Sequence, residues 1–167
     1  MLLTETLSSA HNKKKFCCGK QMLDIYLHFQ ASQDVKRKLS ACFVLVDKSG
    51  SLIQGYYTLS NNSIPLERVP DIFKRQLPES YRSIPTTLLG RLAVDTNYQR
   101  QGIGKILLID ALKRCFLLSK SIGSFAVIVD PLDEEAESFY AKYGFIKLPD
   151  SGKMFLPMKI INYLFKE

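Results

Sequence analysis

The chain has 167 residues, 46% of them hydrophobic and 23% charged, with a formal net charge of +7 at pH 7. That is the balance of a soluble globular protein, long enough for one domain with a substantial core. No apolar run reaches the roughly 18–20 residues of a membrane span, and MLLTETLSS lacks the basic and apolar regions of a secretory signal, which points to the cytoplasm. The excess of positive charge favours a polyanionic partner.

Cys17, Cys18, Cys42 and Cys115 form no CxxC pattern, and neighbours such as Cys17 and Cys18 make a poor disulfide pair. They are read as reduced, partly buried thiols. His11 and His28 show no ligand spacing with them, so no metal is expected.

Residues 1–10 read as a first strand or a fraying arm, followed by a basic loop carrying Lys13, Lys14 and Lys15. Met22, Leu23, Ile25, Tyr26, Leu27 and Phe29 describe an amphipathic helix of about fourteen residues, closing near Asp34. A second basic cluster, Lys36, Arg37 and Lys38, follows it. Residues 40–47 and 52–60 are strand patterns joined by a hairpin turn at Lys48-Ser49-Gly50. Residues 61–86, with Pro65, Pro70, Pro78 and Pro85, are expected to be loop-rich, with one short helix from Asp71 to Gln76.

Leu88, Leu89, Leu92 and Val94 mark a short central strand ending at the turn-like Asp95-Thr96-Asn97. Ile106, Leu107, Ile109, Ala111, Leu112, Cys115 and Phe116 give the next helix its broad apolar face. Residues 124–130 read as a buried strand stopped by Pro131. Asp133 to Lys142 reads as a helix closed by Gly144. Phe145-Ile146 and Met154 to Met158 complete the pattern as strands. The economical reading is one mixed α/β domain over residues 1–167.

Between the central strand and its helix stands Gln99-Arg100-Gln101-Gly102-Ile103-Gly104. Strand, glycine-punctuated turn and helix together hold an anion. Backbone N–H groups collect at the positive end of the helix, and glycine removes the Cβ that would keep a phosphate away. Neither GxxxxGK[ST] nor GxGxxG is present. The pattern [Q/R]xxGxG resembles the pyrophosphate loop of the GNAT superfamily of acetyl-CoA-dependent N-acyltransferases. Ser138-Phe139-Tyr140-Ala141-Lys142-Tyr143-Gly144-Phe145 resembles the FYxxxGF segment of the same superfamily. The resemblance implies a single mixed sheet of about six or seven strands flanked by helices. It implies acetyl-CoA lined by Leu92, Ala93 and Val94, with Arg100, Gln101, Gly102, Ile103, Gly104 and Lys105 on the pyrophosphate. It also implies Tyr140 as the acid that protonates the departing thiolate. Tyr143 reads as a core aromatic, and Asp95 as a turn residue rather than a base.

The N-terminal stretches Phe16-Cys17-Cys18-Gly19, Leu23-Asp24-Ile25-Tyr26-Leu27 and Ala31 to Arg37 are similar to the FxCGxxxLDxYL…AxQxxKR pattern of GNAT toxins from bacterial toxin–antitoxin modules. That narrower resemblance implies acetylation of the α-amino group of aminoacyl-tRNA, which stops translation, and a ribbon-helix-helix antitoxin. It leaves a homodimer open. The lack of an evident base agrees with an α-amine, which near neutral pH is already partly unprotonated. Lys13, Lys14, Lys15, Lys36, Arg37 and Lys38 would then follow the RNA backbone. The alternatives are a housekeeping acetyltransferase of a small amine, peptide or protein N-terminus, and a non-catalytic CoA- or RNA-binding module.

Overall fold

The computed structural model describes residues 1–166. Its strands form one 7-stranded sheet in the order β1-β2-β3-β4-β5-β7-β6, where β1 is Glu5–Thr6, β2 Ala41–Val46, β3 Ile53–Pro65, β4 Ser83–Val94, β5 Ala126–Val129, β6 Ile146–Lys147 and β7 Met154–Pro157. The chain divides into two compact units. One holds Met1–Ser60 and Leu89–Arg114, and the other holds Asn61–Leu88 and the chain from Cys115 onward.

In the first unit β2 and β3 form the expected hairpin, from Ala41 opposite Leu59 to Val46 opposite Ile53. Asp47 organises its turn: Oδ1 accepts from Ser49 Oγ at 2.6 Å and from Leu52 N at 3.2 Å, while Gly50 takes φ +76°. β1 pairs antiparallel with β2, so residues 5–6 are a strand. The arm before it is fastened by a buried polar cluster. The Asp110 carboxylate accepts from Leu3 N, Thr4 Oγ1 and Tyr57 Oη, and Arg114 donates to Tyr57 Oη at 2.9 Å and to the Thr4 carbonyl at 3.2 Å. Removing one member would strand buried polar atoms, so the cluster holds the arm as a unit.

The N-terminal helix is not one regular helix. It runs as α1 (Gln21–Ile25), a π-helical segment (Tyr26–Gln30) and α2 (Ala31–Lys36). Tyr26, Leu27 and Ala31 bury against Cys42, Val44, Tyr56 and Ala93. Met22, Ile25 and Phe29 are exposed. One helical stripe cannot bury all the apolar residues that the pattern offered, and the i, i+3, i+4 set at Leu23, Tyr26 and Leu27 takes the core side. α4 (Ile103–Ser119) starts three residues before the apolar pattern at Ile106. Gly55 on β3 allows its close approach: a Cβ there would lie 2.6 Å from Leu107 Cδ1 and 2.9 Å from the Ala93 carbonyl.

The second unit shows that residues 61–86 are less loop-like than their prolines suggest. β3 continues to Pro65 and β4 begins at Ser83, leaving α3 (Asp71–Lys74) and short turns between them. Ile64 and Ile84, on those extensions, enter a core with Ala126, Ile128 and Phe155, and that burial overrides weak local propensity. β5 is fully buried and pairs antiparallel with β7, Ala126 opposite Pro157 and Val129 opposite Met154. α5 (Glu134–Lys142) is capped by Asp133, whose side chain accepts from Ala136 N at 2.9 Å. Gly144 comes next with φ +92°, the left-handed residue that ends the helix. A last helix, α6 (Met158–Leu164), starts where the sequence pattern ended in a strand. Among the described residues no helix is long and apolar enough to cross a membrane.

Candidate active site

The turn after β4 is built from polar residues used as braces. Asp95 is 4% exposed. Its Oδ1 accepts from Asn97 N at 2.9 Å and caps the single 3-10 turn Thr96–Tyr98. Its Oδ2 accepts from Cys17 N at 3.0 Å. Thr96 N donates back to the Cys17 carbonyl at 2.8 Å. Gln99 Nε2 donates to the Val94 and Cys18 carbonyls, each at 2.9 Å.

Beyond this brace the backbone turns sharply. Arg100 has φ +63° and Gly102 φ +79°, both left-handed. A Cβ built on Gly102 would meet nothing within 4 Å, so that side of the turn is open. Ile106 N bonds the Gly102 carbonyl at 3.1 Å, so α4 is regular from its first turn. The N–H groups of Ile103, Gly104 and Lys105 precede the first intrahelical donors and have no partner within the helix. Arg100, Gln101 and Lys105 are exposed beside them. An open glycine, unpaired amides and free cations fit a pyrophosphate.

Along β4, Leu92 and Val94 are half-buried, while the Ala93 side chain is buried in the core below the N-terminal helix. Ala93 therefore has only its main chain to offer a ligand. The Val94 carbonyl is already taken by Gln99.

The Phe16-Cys17-Cys18-Gly19 stretch touches both this turn and the N-terminal helix. His28 Nε2–H donates to the Phe16 carbonyl at 2.7 Å, and Asp24 Oδ1 accepts from Cys18 N at 2.8 Å. Gly19 takes φ +87° at its end. Asp24 pairs locally, and His28 is a half-buried structural donor. Burial raises the Cys18 thiol to about 12, and Cys42, still more enclosed, also to about 12. Cys17 is exposed and the other cysteines are buried; all four are thiols. Among the described residues no His, Cys, Asp and Glu group could hold a metal ion.

The two basic clusters meet on the N-terminal helix. Lys13 Nζ donates to Ser32 Oγ on α2 at 2.7 Å. Ser32 lies one helical turn before Lys36, so the loop and the helix end share a face. Lys14, Lys15, Lys36, Arg37 and Lys38 are exposed, and Lys38 has φ +62°.

Tyr140 belongs to the second unit. It is 7% exposed on α5, with Phe139 and Phe145 rings each 5.3 Å away between centroids. Burial alone raises its phenol well above the ordinary 10.0. Tyr143 is half-buried against Phe139, at 5.1 Å.

The sequence did not single out Arg91, Gln99 or the Asp95 brace. For Gln99 a signal existed, its place at the head of [Q/R]xxGxG. For Arg91 the signal was a charged residue inside an apolar strand.

Residues 38–147 match the acetyltransferase (GNAT) domain model. The chain belongs to the GNAT family. A relative from Mycobacterium tuberculosis, named a tRNA-acetylating toxin, is 35% identical over 154 residues, which is 92% of this chain and 90% of that protein. The solved structure of AtaT complexed with acetyl-methionyl-tRNAfMet superposes with a TM-score of 0.90 at 28% identity, covering 99% of this chain and 100% of that one. An AtaT toxin mutant, tyrosine to phenylalanine, bound to acetyl-CoA and the C-terminus of the antitoxin AtaR, gives 0.82 at 27% identity, with 99% of each chain covered. The fold is thus shared with structures that carry these ligands.

Proposed function

We propose that this GNAT protein is an acetyl-CoA-dependent N-acetyltransferase acting on the α-amino group of aminoacyl-tRNA, in a single catalytic domain spanning the chain. The observation that carries this reading is a single compact unit holding both an anion-ready turn and a basic helix. The turn from Arg100 to Lys105 takes the cofactor's pyrophosphate on backbone N–H groups. Leu92 and Val94 line its acyl arm with half-buried side chains, Ala93 with its main chain. Lys13–Lys15 and Lys36–Lys38 hold the RNA backbone. A small-amine acetyltransferase has no use for such a face.

In the reaction the neutral α-amine attacks the thioester carbonyl carbon. The C–N bond forms, the C–S bond breaks, and Tyr140 gives its hydroxyl proton to the leaving sulfur. The nitrogen then loses a proton and the tyrosine regains one. A free thiol has a pKa of about 8.5, so donation from a raised phenol is uphill in water. Desolvation raises a thiol as it raises a phenol, so a thiolate formed in apolar surroundings is a matched acceptor.

Blocking the α-amine of charged tRNA stops translation, so the protein acts as a toxin in the cytoplasm, restrained by an antitoxin. The relative named for tRNA acetylation, and AtaT with its antitoxin segment, support this assignment. The ribbon-helix-helix class of the antitoxin and a homodimeric state belong to the same proposal. The test is cell-free translation. Protein with acetyl-CoA should stop synthesis, and omitting acetyl-CoA should restore it. Undiminished synthesis with both present would refute the toxin reading.

A further inference from the structure

Among the described residues Arg91 has no carboxylate partner within ion-pair distance. It stands on β4 immediately before the Leu92–Val94 segment, half-buried, with its guanidinium 3.4 Å from the centroid of the Tyr26 ring. The carboxylate on the other end of Tyr26 is Asp34, whose Oδ2 accepts from the Tyr26 hydroxyl at 2.9 Å. Tyr26 thus meets the carboxylate at its hydroxyl and the guanidinium at its ring. Burial raises the pKa of Tyr26, Cys42 and Tyr56, and the positive charge of Arg91 lowers each of them in part.

The stacking also fixes the orientation. Tyr26 lies in the π-helical segment and stacks on Tyr56 at 6.5 Å with an interplanar angle of 17°. Tyr56 Oη in turn donates to the Leu23 carbonyl at 2.7 Å. A guanidinium pressed against a ring held this firmly uses its face for the aromatic contact and leaves the N–H edge unspent. That edge is a planar fork matched to two oxygens of one phosphate. Arg91 shares its side of the strand with Ala93, two residues on, and Ala93 packs in the core under the N-terminal helix. Arg91 is therefore on the side of β4 that faces the helix flanked by Lys13–Lys15 and Lys36–Lys38.

We propose that Arg91 is an RNA phosphate-binding residue, a fixed fork that receives one phosphodiester of the acceptor nucleic acid while the lysine clusters follow the neighbouring backbone. The inference rests on the aminoacyl-tRNA reading and adds a site to it. The cofactor's own phosphates share the chemistry, so the test has an arm for each source.

The probe is mixed deacylated tRNA, with binding measured across a range of salt. Arg91→Gln should flatten the slope of log K against log salt by about 0.7–0.9, the contribution of one phosphate. Arg91→Lys keeps the charge and should restore most of that slope while binding more weakly. Acetyl-CoA should raise the melting temperature of both variants as it does the wild type. A slope unchanged in Arg91→Gln, with acetyl-CoA binding intact, overturns the proposal. For a variant that fails to fold, the wild type answers directly. Phenylglyoxal modification of Arg91, read by mass spectrometry, should be blocked by tRNA and not by acetyl-CoA. Protection by acetyl-CoA alone would assign the fork to the cofactor and overturn it. Failure of the wild type to bind tRNA at any salt would instead strike the aminoacyl-tRNA reading itself.

Discussion

The turn after β4 and the start of α5 both begin on a capping aspartate, and they serve opposite ends. Asp95 is buried, and with Gln99 it spends its polar atoms on the carbonyls and amides of Val94, Asn97, Cys17 and Cys18. Asp133 caps α5 in the ordinary way, and the residues beyond it build an apolar cage of Phe139 and Phe145 around Tyr140. The first region holds backbone amides still for an anion, which needs rigid geometry and access to charge. The second keeps a proton on a phenol, which needs desolvation. Polar bracing and apolar burial are two ways of preparing a group before the substrate arrives.

The largest effect should come from the apolar side. Tyr140→Phe keeps the ring in its cage and removes the proton, so turnover should fall by about 10²–10⁴ while acetyl-CoA binding survives. Steady-state kinetics with a thermal-shift control separates the two. Near-normal turnover would mean that another group is the acid.

Next comes the turn. At about one hundred times its Kd, acetyl-CoA should stabilise the wild type by about 2.7 kcal/mol, seen as a rise in melting temperature. Gly104→Glu brings a like charge to the pyrophosphate and should abolish that rise. Equal stabilisation of both proteins would remove the turn from the cofactor site.

A smaller effect tests the brace itself. Gln99→Glu exchanges a double donor for a carboxylate facing two carbonyls, and Gln99→Arg restores donors. We expect KM for acetyl-CoA to rise about tenfold in the first, kcat little changed, and the second to recover much of the loss. A matched fall in kcat would make Gln99 more than a brace.

The smallest effect is on stability with pH. Burial raises Cys18, Cys42 and Tyr26 to about 12, and raises Tyr56 and Tyr57 as well. These groups are neutral when protonated, so above the ordinary thiol value of about 8.5 the folded state keeps protons that the unfolded chain has lost. The stabilisation is complete below that pH and drains as pH climbs towards the folded values. Melting temperature should be flat from about pH 6 to 8 and decline beyond about pH 9. A decline starting near neutrality would point to other groups.

The same division governs how much the sequence could reveal. Leu88 to Leu112 was legible because its parts are local: a short apolar run, a glycine pair and a helical stripe. The FYxxxGF segment was legible as a motif, and its cap at Asp133 and stop at Gly144 were local signals. The π-helical segment at Tyr26–Gln30 has no local signature, since the Phe16, Asp34 and Arg91 contacts that accompany it lie outside it. The Gln99 bond to Cys18 joins residues 81 apart, and nothing in either residue type announces a main-chain partner. The extended ends of β3 and β4 were hidden by Pro65 and Pro85, which read as loop until Ile64 and Ile84 are seen in the core. α6 was missed because its seven residues come directly after a strand with no polar break.

The central claim is the acceptor, and transfer of labelled acetyl groups tests it most directly. Wild type and the Lys36→Ala, Arg37→Ala, Lys38→Ala triple variant would each be given labelled acetyl-CoA and a mixed pool of charged tRNAs. The account predicts label on the α-amine of aminoacyl-tRNA with the wild type, and none with the triple variant, although both bind acetyl-CoA alike. It also predicts a salt slope flatter by about two to three units in the variant. No label on any charged tRNA, beside brisk acetylation of a peptide or polyamine, would contradict it.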